Sequence, residues 1–126
     1  MNLTEYQNKA ALTECNQVQS MKRMHQLAAV RLNHGVIGLV GEVGELAAAV
    51  ERWVYYGSEL DRVNIKEEVG DCLWYLALIC NAVGLDMESC LEANLKKLAR
   101  RYSQGCYNQE EALNRDLKKE RGAVKG

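Results

Sequence analysis

The stretch GVIGLVGEVGELAAAV, Gly35 to Val50, decides how this chain is read. It is almost wholly apolar, yet glycine returns every third position (Gly35, Gly38, Gly41, Gly44) and the only charges are Glu42 and Glu45. Glycine costs a helix about 1 kcal/mol relative to alanine, and a carboxylate resists burial unless something compensates it. A segment carrying both penalties must be explained by what it packs against or binds. Residues three apart share one face of a helix, with about 5–6 Å between their Cβ atoms. Glu42 and Glu45 therefore point the same way.

A second segment, KEEVGDCLWYLALICNAVG (Lys66–Gly84), repeats the device with Glu68 and Asp71, and no further charge follows until Asp86. Glu67 lies about 100° around the helix from Glu68 and falls outside the pair. A short turn around Gly57 to Leu60 makes the two segments an antiparallel hairpin. The 22 residues between Glu45 and Glu68 suffice to finish one helix, turn and come back level. The two acidic pairs then face each other.

Such an arrangement does not stand alone. Two carboxylates about 5.5 Å apart repel by roughly 3 kcal/mol at an effective dielectric near 20. Four of them strain a fold whose whole stability is about 5–15 kcal/mol. Either protons or cations must sit among them. A ligand set of oxygens alone suits Mg²⁺, with Mn²⁺ as a substitute. A di-iron bundle needs Glu-x-x-His motifs, and neither His25 nor His34 has an acid three residues before it.

The rest of the chain frames this hairpin. Its 126 residues contain 48% hydrophobic and 26% charged residues, the balance of a single soluble domain spanning 1–126. A net charge of −1 speaks against a nucleic-acid partner. Proline is absent, which favours long helices. No apolar run reaches the roughly 20 residues of a membrane span, and the N-terminus lacks a secretion signal. Five cysteines without a CxxC pair read as reduced thiols in a cytoplasmic protein.

The expected fold is all-α, an antiparallel helical hairpin or four-helix bundle. A first helix starts at the capping-box spacing Thr4–Gln7, and residues 16–33 read as a loop, a helix extension or both. The second helix covers about 34–56 and stops at Gly57. Asp61 caps a third that runs to Val83 and Gly84, and Asp86 caps a fourth that ends near Tyr102. Residues 110–126 form a peripheral C-terminal helix and tail: one short helix follows Asn108, and the final GAVKG frays.

With these residues in view, the sequence resembles the MazG-like, all-α nucleoside triphosphate pyrophosphohydrolases. That superfamily is marked by Glu-x-x-Glu, a spacer and Glu-x-x-Asp, read here in LVGEVGELA and KEEVGDCLWYL. EANLKKLARRY is similar to the family's Asn-x-x-Lys segment with its basic-aromatic end, and ALNRD to a tail of small bacterial and phage-type members. The resemblance covers about residues 34–116, and NLTEYQ more loosely. It implies hydrolysis of a nucleoside triphosphate to monophosphate and pyrophosphate, with Mg²⁺ held by Glu42, Glu45, Glu68 and Asp71. It also implies a homodimer or homotetramer.

Glu45 is our choice among the four acids for the base that takes a proton from water. Asn94 and Lys97 touch phosphate or sugar by resemblance, and Arg101 extends their face by its i, i+3, i+7 spacing. Tyr75, one turn beyond Asp71, is placed to stack on or hydrogen-bond the nucleoside, and Trp53 to contact the base. His34 reads only as a helix-start residue. The competing readings are a dUTP- or dCTP-preferring enzyme, a phosphoribosyl-ATP pyrophosphohydrolase, and a non-catalytic helical module for oligomerisation or regulation. Retaining four acids speaks against the last, because apolar residues there would be more stable.

Overall fold

Every regular element among the described residues, 2–125, is helical in the computed structural model. Contacts divide the chain into two units, Met1–Val83 and Gly84–Gly126.

In the first unit, α1 spans Leu3–Leu12 and α2 spans Gln17–Met24. The cap of α1 is Asn2, not Thr4: its side chain accepts the Glu5 N–H at 2.8 Å. Asparagine caps at least as well as threonine, so the earlier of two usable caps takes the helix. Asn16 caps α2 in the same way. After a break at His25 and Gln26, α3 runs from Leu27 to Tyr56, starting seven residues before the expected 34. It ends as expected at Gly57, whose φ of 69° is left-handed, and the Ser58 N–H turns back to the Arg52 carbonyl at 3.2 Å. The next helix, α4, spans Arg62–Val83. Asp61 caps it by accepting the Asn64 N–H at 3.0 Å.

Helices α3 and α4 form the antiparallel hairpin. Gly35 lies against Ile79, Gly38 against Tyr75, and Arg52 near Asn64, so one strand of contacts climbs as the other descends. The glycine row explains the closeness, but only in part. A Cβ on Gly35 would come within 2.8 Å of Ile79 Cγ1, and one on Gly38 would collide with the Tyr75 ring. Nothing within 4 Å would meet a Cβ on Gly41 or Gly44. At about 100° per residue, each three-residue step turns the row back by about 60°. The first two glycines thus face α4, and the last two have rotated away from it.

In the second unit, α5 spans Met87–Arg101, α6 Gln109–Leu113 and α7 Leu117–Lys125. Asp86 caps α5 through the Ser89 N–H at 2.7 Å, and Asn108 caps α6 through the Glu111 N–H at 3.0 Å. The single helix expected after Asn108 is instead broken, because Asp116 accepts the N–H groups of Lys118 and Lys119 and starts α7 afresh. The expected fraying of GAVKG is also corrected: α7 continues to Lys125, and Gly126 lies outside the described residues.

What holds α7 is a tertiary grip. Glu120 is buried and receives two N–H groups from Arg101, at 3.0 and 2.8 Å, and two from Arg115, at 3.2 and 2.8 Å. Arg101 first and Arg115 second hold the Glu120 carboxyl far below the usual carboxylate range. A lowered carboxylate contributes stability above its ordinary value and loses it as pH falls through the folded value. This clamp therefore opens only in strong acid.

Candidate metal centre

Glu42, half-buried on α3, and Glu68 and Asp71 on α4 bring carboxylate oxygens within 4.8 Å of one another. Both halves of the sequence pattern thus converge across the hairpin. Glu45 does not join this group among the described residues; it is exposed. The same rotation that turns the glycines explains it, since three residues beyond Glu42 lie about 60° further round α3. Its charge still reaches Glu42.

The Glu42 carboxyl is raised above its ordinary value. Burial is the largest cause, followed by hydrogen bonding with Glu68 and the charges of Asp71, Glu45 and Glu68. Folding thus favours the protonated form of Glu42. A raised carboxyl binds more protons folded than unfolded, so stability is full below its ordinary value and declines as pH rises through the folded one. We expect the metal-free protein to melt at progressively lower temperature as pH rises above the ordinary carboxylate range. Divalent ion should flatten that slope, and thermal melts in chelator and in excess Mg²⁺ measure both. A flat slope in chelator would contradict the assignment.

The donor set fits a hard divalent ion. Oxygens sharing one Mg²⁺ at about 2.1 Å lie roughly 3–4 Å apart, a span these three carboxylates meet with small side-chain adjustments. Glu68, 6% exposed, is the most enclosed of them. It accepts the Asn64 side-chain N–H at 2.6 Å, and Asn64 in turn accepts from Arg52 Nη2 at 3.4 Å. Sequence reading missed both residues. Asn64 sits at i−4 from Glu68, a spacing that marks a helix neighbour; nothing local points to Arg52.

Along the hairpin from the acids stands an aromatic group. Tyr75, half-buried over Gly38, meets His34 edge-on at 5.9 Å and Trp74 at 4.9 Å between ring centroids. His34 is thus no helix-start residue, since α3 begins at Leu27 and the imidazole packs two turns inside it. Trp53 lies near the other end of α3 with half its surface open.

The remaining candidates belong to the second unit. Asn94 is exposed and Lys97 half-buried on α5, where both line a shallow depression with Ser89, Ala93 and Val124. Arg101 departs from its expected role, because its guanidinium fork is spent on Glu120.

Residues 35–106 match the family model described as the MazG nucleotide pyrophosphohydrolase domain. The chain belongs to this MazG family. Both acidic pairs, the hairpin turn and all of α5 lie inside the matched segment, whereas α6 and α7 lie beyond it. The MazG chain is also similar to the Gene 37 protein of Mycobacterium phage L5, at 31% identity over 78 residues, or 59% of this chain and 68% of that protein. No solved structure matches it. Among the described residues of this MazG protein, no single helix is long and apolar enough to cross a membrane.

Proposed function

We propose that this MazG protein is a Mg²⁺-dependent hydrolase that cleaves nucleoside triphosphates, deoxy or ribo, into monophosphate and pyrophosphate. The observation that carries the reading is the convergence of Glu42, Glu68 and Asp71 from two helices, with Glu42 raised by its neighbours. A purely structural bundle gains nothing from such repulsion.

Glu42, Glu68 and Asp71 would hold the ion, which would supply Lewis acidity at the α-phosphoryl group and neutralise triphosphate charge. Glu45, exposed and outside the three-carboxylate group, is free to take a proton from the attacking water. It also remains available to a second ion. Tyr75 and Trp53 are the aromatic surfaces offered to the nucleoside, on opposite sides of the acids along α3 and α4. For Asn94 and Lys97, contact with phosphate or sugar is proposed from the family pattern.

The test is direct. The protein is incubated with each common NTP and dNTP plus Mg²⁺, and monophosphate and pyrophosphate are measured. Turnover to those two products is the expected result, and the fastest substrate reports base preference. Orthophosphate with diphosphate would move the cut to another bond, and no turnover of any nucleotide would reject the reading.

A homo-oligomer belongs to the same proposal. The described part of the first unit buries few apolar side chains fully, Ala49 at 3% exposure being the one in its core. Val36, Ile37, Val40 and Val43 on α3 and Leu73 and Leu76 on α4 all remain exposed. Exposed apolar side chains in such number suit an interaction face, and a second copy supplies helices of the matching type.

A further inference from the structure

We infer that Asn64 and Arg52 are positioning residues for Glu68, a two-link brace that fixes which oxygen of this carboxylate is left for the cation. The inference rests on the reading of Glu68 as a metal ligand.

The first link is short. Asn64 Nδ2 donates to Glu68 Oε1 at 2.6 Å from one turn earlier on α4. The Asn64 backbone is itself fixed, because its N–H is the one that Asp61 caps. The second link crosses the hairpin: Arg52 Nη2, from α3, donates to Asn64 Oδ1 at 3.4 Å. Together they leave the amide one orientation. Reversed, it would set an oxygen against the carboxylate and an NH₂ against the guanidinium, and both contacts would repel.

The spacer also decides how charge is delivered. A guanidinium placed directly on Glu68 would engage both oxygens in a fork, in competition with the ion. An amide between them occupies Oε1 alone. The other oxygen takes no bond from Asn64 and is left for the group in which Glu68 meets Glu42 and Asp71. Arg52 acts on the carboxylate only by holding the amide that holds it.

Outer partners of metal ligands typically change affinity by about 10–100-fold when removed. The probe is Mn²⁺ alone, titrated by electron paramagnetic resonance into the full chain without nucleotide, with circular dichroism as the fold control. We expect Asn64→Ala to weaken Mn²⁺ binding by about 10–100-fold. Arg52→Ala should cause a smaller loss, and Arg52→Gln, which keeps a donor without the charge, should recover most of it. Because Arg52 works through Asn64, the double variant should bind no more weakly than Asn64→Ala. If Asn64→Ala fails to fold, the exposed Arg52 pair still carries the test, with Asn64→Ser as the alternative. Unchanged Mn²⁺ affinity in both Asn64 and Arg52 variants would overturn the brace, as would losses that multiply in the double variant. Failure of the unmodified protein to bind Mn²⁺ would instead remove the metal reading on which the brace rests.

Discussion

Asp71→Asn and Glu68→Gln should each lower kcat by about 10²–10³-fold while raising the melting temperature of the metal-free protein. The two changes have opposite signs for one reason. Each substitution keeps shape and removes one negative charge from three carboxylates whose oxygens lie within 4.8 Å. Without metal, that relieves repulsion. In the proposed reaction, it would withdraw a ligand from the ion that balances the triphosphate. The stabilisation that Mg²⁺ gives by binding the folded state alone should shrink in parallel. Pyrophosphate release and melts with and without Mg²⁺ measure the pair. Undiminished turnover in both variants would remove these acids from the mechanism, and a lower metal-free melting temperature would show that the cluster is not a site of repulsion.

The second large effect concerns assembly. Val40→Asp or Leu73→Asp should break the proposed homo-oligomer, since 67% and 51% of these residues stand exposed on the two helices of the hairpin. Fully burying a valine or leucine is worth about 1.5–3 kcal/mol. In a two-fold interface each change counts twice, so association should weaken by about 10²–10⁴-fold. Sedimentation velocity across a micromolar series reads this directly. A monomeric wild-type chain in that range would dismiss the interface.

Much of the hairpin could be read from sequence because the signals are local. Gly57 and Gly84 end helices where a left-handed φ is needed, and Asp61 and Asp86 cap the next ones with their own side chains. The spacing of the acids then sets three of them level. The misreadings share a different physics. The three-residue rule groups Glu45 with Glu42, but about 60° of rotation separates them and leaves Glu45 exposed, outside the three carboxylates that meet. His34 and Arg52 matter through residues on the opposite helix, and their roles appear only once the register is known. Likewise, GAVKG looks frayed by propensity, and its residues up to Lys125 are helical because Glu120 anchors α7 on α5.

That anchor bears on where this protein can be cut. The matched family segment stops at residue 106, and the remaining residues look like a dispensable extension. Trimming there would remove the carboxylate that pairs with Arg101 and strip α5 of the helix packed along it. The working boundary of the second unit is therefore set by an ion pair at Glu120, well past the point where family likeness ends.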